Sequence, residues 1–468
     1  MNGIHAFLGN YSPVKGINVM TEFSRRNWLT MAALAMAGRR TMGAIEPIHG
    51  GGNVALNPFV RNVLDFSAQG DGKTDNTAAF QKALDAVHSA GGGIVHVPAG
   101  RYLFKGHLTM PATTTLEGVY RAPPVYDPEA GSGTVLLPTH GRGREDGPPF
   151  IGVGGINCTI RGLVIYYPEQ DSKAAEPVPY PWTIQCQQLQ QDFAVMDVAL
   201  TNPYQGINLT GAGRHYIARV YGRPLKTGIY VDQCYDVGRI ENIHFFPFWG
   251  GVNTPMDTWT ENHGTAFCFG RSDAQYVLNT FCFQYHTGYH FIQTPKGACY
   301  GNFLGLGADT CHYPLQVDAA EAIVGLQIMN SEFAAYLGSE PQGFVVGPDN
   351  IGQVCMTNCA FWGGNLKHFG TARGTGVVSL IGCNFKGECR DRHNRGAPAI
   401  LCDGAPTIIS NCRFQSLVKS KRAIAHITKR CAGAVITGNL TTSTAFTVEH
   451  AGKLPPDKFQ IHSNIAVG

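Results

Sequence analysis

Charge is scarce in this chain. Only 15% of its 468 residues are Asp, Glu, Lys or Arg, and 36 basic against 33 acidic side chains leave a formal net charge of +3. Intrinsic disorder needs low hydrophobicity together with high net charge, so a disordered chain is excluded. There is no basic stripe interleaved with aromatic residues, which removes nucleic acid as a partner. No C-x-x-C pair occurs among the 14 cysteines, so a zinc site of the usual spacing is not expected. No apolar run is long enough to span a bilayer. Asp71 and Asp75 lack the later Glu that a calcium loop requires, and read as cap and turn residues. No motif calls for a cofactor or metal, although a divalent cation such as calcium is left open.

What the chain does have is a short phrase that keeps returning. It runs Glu241-Asn242-Ile243-His244-Phe245, Asn330-Ser331-Glu332-Phe333, Asn358-Cys359-Ala360-Phe361, Gly382-Cys383-Asn384-Phe385 and Asn411-Cys412-Arg413-Phe414. The last four phenylalanines are 28, 24 and 29 residues apart, a period that marks a stacked repeat. Each unit alternates apolar and polar residues as a strand does, then turns at a small or amide residue. Stacking would set Asn on Asn, Ser or Cys on Cys, and Phe on Phe. Cys355, Cys359, Cys383 and Cys412 are then expected as free thiols on the inside of a coil, where Cys behaves as a small apolar residue.

Near the start, Ser24-Arg25-Arg26-Asn27-Trp28-Leu29-Thr30 precedes a short apolar run from Met31 to Gly38. This resembles a bacterial twin-arginine export signal, which implies the twin-arginine machinery as a partner and a periplasmic or extracellular location. The expected division is a signal over 1–44, a linker over 45–62, a cap and first rungs over 63–120, and a coil over 121–468. Loops are inserted at 166–182 and 246–263.

After the linker comes Val63-Leu64-Asp65-Phe66, then Gly70-Asp71-Gly72-Lys73-Thr74-Asp75-Asn76-Thr77. An amphipathic stretch follows from Ala78 to Ala90, capped by Asn76 or Thr77, with Phe80, Leu84 and Val87 on one face. Gly91-Gly92-Gly93-Ile94-Val95-His96-Val97-Pro98-Ala99-Gly100-Arg101-Tyr102 completes the segment. This order is similar to the start of pectate-lyase superfamily proteins, the group with rhamnogalacturonase-like, epimerase-like and polygalacturonase-related members. Their pattern is G-D-G-x-T-D-D-T, a helix, then G-G-G-x-V-x-x-P-x-G-x-Y; Asn76 stands at the second Asp. The resemblance implies an all-β, single-stranded right-handed parallel β-helix with a short N-terminal capping helix. It is far less specific about reaction.

A second strand recurs in each repeat: Gly206-Ile207-Asn208-Leu209, Gly228-Ile229-Tyr230-Val231-Asp232, Gly264-Thr265-Ala266-Phe267, Gly288-Tyr289-His290-Phe291 and Pro314-Leu315-Gln316-Val317-Asp318. Alternation sends Asn208, Tyr230, His290 and Gln316 outward, with Asp232 and Asp318 a step further along. Just ahead of these strands stand Tyr204, Lys226, His263, His286 and His312. Titratable groups gathered on one face point to a site.

In the polygalacturonase branch, the corresponding places carry an Asp pair, Gly-His-Gly and Arg-x-Lys. Here they hold Lys226-Thr227, Asn262-His263-Gly264 and His286-Thr287. Without the Asp pair, inverting hydrolysis is not directly implied, since it needs one protonated and one ionised carboxyl group. The set suits β-elimination from a uronate. Lys226, His263, His286 or His290 serves as base or carboxylate clamp, and Tyr230 as acid. Asp232 and Asp318 orient a histidine, hold a cation or act in hydrolysis. Tyr204, Asn208, His312 and Gln316 then bind substrate. Trp249 and Trp259 are expected to stack on sugar rings, or else to pack their own loop. Arg223 is expected to meet acidic sugars. Asp257 and Glu261 keep a glycoside hydrolase as the alternative.

The expectation is an exported enzyme cleaving a polysaccharide or oligosaccharide, uronate-containing, by β-elimination. A hydrolase, an epimerase and a non-catalytic saccharide-binding coil are the other readings.

Overall fold

The computed structural model describes residues 59–122, 133–189, 192–364, 366–388, 397–415, 422–442 and 445–467. The expected export signal lies outside the described residues, as does the linker up to residue 58. Val60–Asn62 already pairs in parallel with the segment beginning at Ile94, so the coil begins a few residues before the expected boundary at 63.

Each rung of the coil hydrogen-bonds in parallel to the next, and the described strands fall into two sheets, one of 25 strands and one of 13. The result is a right-handed parallel β-helix, an all-β fold as the repeat and the resemblance imply. The smaller sheet runs from Leu108–Met110 to Val448–His450 and includes Thr227–Val231, Thr265–Phe269, Thr287–Phe291 and Tyr313–Val317. Among the described residues, no helix is long and apolar enough to cross a membrane.

From Gly162 onward the long sheet bends at one residue in each rung. Gly162, Asp197, Arg219, Asn242, Asn279, Gly305, Asn330, Asn358, Gly382, Asn411, Gly438 and Ser463 all have φ between 49° and 71°. They stack because the residues before them are in register, from Arg161 on Met196 through Thr357 on Ile381 to Thr437 on His462. That left-handed conformation suits Gly and, next best, Asn. It is the physical content of the amide at the turn of the repeat.

The bend turns the next side chain inward, where it packs or donates. Leu163, Val198, Val220, Ile243 and Leu306 fill the early rungs. Ser331, Cys359, Cys383, Cys412, Asn439 and Asn464 occupy the later ones. Ser331 accepts from Leu306 N of the previous rung at 3.1 Å, and from Cys359 on the side chains reach back one rung to backbone carbonyls: Cys383 to Met356 at 3.3 Å, Cys412 to Leu380 at 3.3 Å, and Asn439 to Ile409 at 2.8 Å. A thiol and an amide thus do the same work at the same place. Beside them Phe333, Phe361, Phe385 and Phe414 stack with ring centres 5.3, 5.1 and 4.7 Å apart.

Cys186 aside, the described cysteines are free thiols, and all the described cysteines but Cys355 are buried. Cys355 was expected inside, but it takes the outward parity of its strand and is half-buried.

α1 (Thr77–Ser89) lays Phe80, Ala83, Leu84 and Val87 against the core. Asn76 is at its N-cap position, yet the Asn76 side chain instead accepts from Gln69 N at 2.7 Å. The helix start is held by Asp75, which accepts from Thr77 N at 3.0 Å. Asp71 accepts from Lys73 N and Thr74 N, each at 2.8 Å. Both carboxylates are turn and cap groups, as expected.

His215 is fully buried, with Nδ1 2.7 Å from Ala212 O and Nε2 3.3 Å from Gln275 Nε2. A neutral ring donating at Nδ1 and accepting at Nε2 satisfies both contacts. Burial pushes its pKa down from 6.5 to about 4, and does the same at His368.

The turn residues and the buried histidines each make a prediction about stability. Asn411→Val should cost about 1–2 kcal/mol and Asn411→Gly much less, read from denaturant midpoints. Below pH 6.5 the unfolded chain takes up protons that folded His215 and His368 refuse, so stability should fall from pH 6.5 to about 4 and then level off. The loss is at most about 3 kcal/mol per histidine. His215→Gln should flatten that slope; an unchanged slope would remove His215 as its source.

Candidate functional site

The outward face of the 13-stranded sheet carries the candidate site. Register stacks Gln185, Asn208, Tyr230, Cys268, His290 and Gln316 in one column. The expected column is therefore real, with one correction. The strand after Gly264 was read two residues early, because a helix feeds directly into it. Ala266 stands level with Gly228 and Gly288, which puts Cys268 in the column and Gly264 level with Lys226 and His286.

That helix is α2 (Pro255–His263), in a segment expected to be a loop. Thr254 caps it by accepting from Asp257 N at 3.1 Å, and Pro255 follows in the first turn. A Thr-Pro pair before a short helical stretch was the available signal. His263 is the last residue of α2. It is exposed and stands beside the row rather than in it, with its ring 4.9 Å from Trp259.

At the centre of the column, His290 Nε2 is 2.7 Å from Asp318 Oδ2, and Gln316 Nε2 donates to Asp318 Oδ1 at 3.1 Å. Burial pulls the Asp318 carboxyl upward, but these two hydrogen bonds and the imidazole charge outweigh it, so Asp318 lies below its ordinary value. An ionised Asp318 holds the proton of His290 on Nε2 and leaves Nδ1 as the basic atom. Nδ1 has no hydrogen-bond partner among the described residues.

Two rungs back, Tyr230 is half-buried, with its ring 6.1 Å from Trp182. Burial raises its pKa, and the charge of Asp232 adds to that. Between Tyr230 and His290 lies Cys268, 9% exposed, its thiol pushed up to about 12 by burial and by the charges of Asp318 and Asp232. It is too weakly acidic to be a nucleophile at neutral pH, and it sets Tyr230 and His290 two rungs apart. Asp232 is pinned beside it, accepting from Arg271 N at 2.8 Å and Thr294 Oγ1 at 3.0 Å.

A second row runs along the leading edge of the sheet. Backbone bonds link Tyr204 to Lys226, Lys226 to Thr265, Gly264 to Thr287, His286 to Tyr313 and His312 to Gln342. Tyr204, Lys226, Gly264, His286 and His312 thus stand in successive rungs. Lys226 forms an ion pair with Glu145, to which Tyr204 OH also donates at 3.5 Å. Burial lowers the pKa of Lys226. Glu145 was missed by the sequence reading; it arrives from a Gly-rich loop 81 residues away.

The rings of His286 and His312 are 5.0 Å apart. Burial lowers the pKa of His286, followed by the charges of His312, His263 and His290. Burial also lowers that of His312, against a partial pull from Glu340.

Several expected site residues prove structural. Arg223 and Asp257 are 1% and 3% exposed and pair with each other at 2.5 Å. Arg223 also donates to the carbonyls of Phe283 and Gln284 and lies over the Tyr285 ring, so it cannot meet a sugar from there. Burial raises the Asp257 pKa, and Arg223 pulls it back. The pair fastens α2 to the coil. Trp249 packs with Leu225 and Met256 beneath the same loop. Tyr167 and Tyr180 of the other inserted loop are buried against each other, ring centres 4.6 Å apart. Asn208 caps its own turn, accepting from Thr210 N at 2.9 Å.

Trp259 keeps part of its ring at the surface, 6.0 Å from Tyr204. Glu261 accepts from Gln284 Nε2 at 2.6 Å, and burial raises its pKa, as does the Asp257 charge. No group of three or more His, Cys, Asp or Glu among the described residues is arranged to hold a metal ion.

With this geometry in place, known proteins give it a setting. Residues 60–209 match the family model described as rhamnogalacturonase A/epimerase, pectate lyase-like. Over that third of its length the chain is similar to pectate-lyase-like β-helix proteins.

Two curated relatives come from Azotobacter vinelandii. Alginate lyase 7 is 60% identical over 45 residues, 10% of this chain and 5% of that protein. Mannuronan C5-epimerase AlgE3 is also 60% identical over 45 residues, 10% of this chain and 2% of that protein. The chain therefore matches only a small part of either. Among solved structures, a tailspike protein of E. coli bacteriophage HK620, in complex with a hexasaccharide, has a TM-score of 0.52 at 13% identity. The match covers 81% of this chain and 70% of that one, and speaks to the fold alone. The family match stops at residue 209, short of Tyr230, His290 and Asp318.

The buried pair gives a prediction. Asp257→Ala leaves the Arg223 charge without its carboxylate and should cost about 3–5 kcal/mol. Thermal unfolding and proteolysis within 246–263 would register it; an unchanged melt would mean the pair does not anchor α2.

Proposed function

We propose that this chain is an exported carbohydrate-active enzyme that cleaves a uronate-containing polysaccharide by β-elimination. The observation that carries the reading is the His290–Asp318 pair two rungs from Tyr230 in one outward column, with Cys268 between them. Neighbouring rungs are roughly 4.8 Å apart, so the flanking strands stand about 10 Å from each other, room for one sugar ring between the two side chains.

In the proposed step, His290 Nδ1 takes the proton from C5 of the uronate. The electron pair of that C–H bond forms the C4=C5 double bond as the C4–O4 bond breaks. Tyr230 gives its phenolic proton to the departing O4. Asp318 steadies the imidazolium that forms, and groups of the leading edge neutralise the carboxylate whose charge builds in the transition state. Tyr230 stays protonated at neutral pH because burial raises its pKa, as an acid must.

Epimerisation is the second reading, favoured by the names of the Azotobacter relatives. It begins with the same proton abstraction and ends with a proton returned to the opposite face of C5. Hydrolysis is less well supported, because Asp257 is buried against Arg223 and Asp318 is held ionised by His290 and Gln316.

The test is to incubate the protein with acidic and neutral polysaccharides while following ultraviolet absorbance and reducing ends together. Both should rise on an acidic polymer. His290→Gln and Tyr230→Phe should each lower that rate about 10²–10⁴-fold without loss of fold. Reducing ends without absorbance would mean hydrolysis, exchange of the C5 proton without cleavage would mean epimerisation, and binding without turnover would leave a sugar-holding coil.

A further inference from the structure

The leading edge of the site sheet has a property that the β-elimination reading does not use. Four successive rungs each offer a nitrogen base there: Lys226, then His263 beside the Gly264 rung, then His286 and His312. Lys226 is already neutralised by Glu145. His286 bonds only the hydroxyl of Thr287, at 3.1 Å, and its other titratable neighbours are His263, His290 and His312. His312 stacks on Tyr313 with ring centres 4.2 Å apart, and its Nε2 is buried without a hydrogen-bond partner. The acidic group near His312 is Glu340, whose carboxylate is taken by Lys367 at 2.7 Å. His286 and His312 thus lie against each other, and among the described residues no carboxylate is bonded to either.

Rungs repeat every 4.8 Å or so, comparable with one pyranose unit of an extended chain. We propose that this edge is the binding track for successive carboxylates of a uronate chain lying along the coil axis, and that binding drives proton uptake by His286 and His312. The inference rests on the uronate reading above and adds the direction of the chain, the residues that hold it and the ionic change that accompanies binding.

The linkage has a definite sign. Burial lowers the pKa of both rings, helped by neighbouring imidazoles at His286 and opposed by Glu340 at His312, so both favour the neutral form near pH 7 in the free protein. An anion beside each ring favours its charged form, so the complex holds more protons than its parts. Binding should then weaken as pH rises, by up to about tenfold per pH unit for each proton taken up.

The experiment uses the full-length His290→Gln protein, which binds without turnover, and saturated tetramers of mannuronate and galacturonate. Calorimetry at pH 7 in buffers of different ionisation heat gives the protons taken up per chain bound. We expect about one to two for whichever tetramer binds, falling by about one when His286→Gln or His312→Gln is added. Binding with no proton uptake would overturn the track while leaving the elimination reading intact, provided the unsubstituted enzyme still produces unsaturated sugar. Failure of both tetramers to bind, with neutral oligosaccharides binding instead, would overturn the track and the uronate reading together.

Discussion

One left-handed residue per rung holds this architecture together. Without it, the long sheet would run straight past the core rather than fold over it. With it, the following side chain is turned inward at the same height in each rung from Gly162 onward. The backbone there is constrained to φ near 50–70° from Gly162 to Ser463, while the residue after it changes from Leu and Val to Ser, Cys and Asn. The geometry is conserved along the coil and the chemistry drifts. From Cys359 on the inward side chain satisfies a carbonyl of the previous rung, worth about 1 kcal/mol net each time. The phenylalanine stack adds about 0.5–1.5 kcal/mol per ring pair.

Because the bend fixes where each rung starts and stops, it fixes the opposite sheet as well. Outward residues of the smaller sheet fall into columns by register alone, so Tyr230, Cys268 and His290 are neighbours although 60 residues separate the first from the last. The wall beside them is less automatic. It needs α2, and α2 needs the buried Arg223–Asp257 pair. The coil supplies spacing, and the inserted segments supply enclosure. That division explains why residues in 166–182 and 246–263 that look like sugar-stacking aromatics, Tyr180 and Trp249 among them, are spent on packing the insertions down.

The same division explains what could be read from the sequence. The repeat phrase was legible because its Asn or Gly is forced by backbone conformation and its Phe by stacking, two local requirements that recur in each unit. Column parity was legible wherever a Gly or Pro opened the strand. It failed at Gly264, where a helix runs into the strand and the opening residue is Ala266; Cys268 was lost and His263 misplaced by that slip of two. Glu145 was beyond reach, since nothing local says over which rung a Gly-rich loop will fold. Arg223 and Asp257 were mistaken for surface groups because burial of an ion pair leaves no periodic trace.

The lysines of the site face are paired in the free protein, Lys226 with Glu145 and Lys367 with Glu340. Asp318, Asp232 and Glu261 are held by hydrogen bonds, from His290 and Gln316, from a backbone N–H and a hydroxyl, and from Gln284. A permanently cationic edge would attract any anion, including chloride and phosphate, and would be screened by salt. Histidines kept neutral chiefly by burial offer charge only where a partner carboxylate is close enough to repay it. Of the bases along the leading edge, His286 and His312 have no carboxylate bonded to them, and they stand one rung apart within the row that also holds Lys226. The spacing that makes the coil stable is thus also the spacing at which a regular acidic polymer would present its charges.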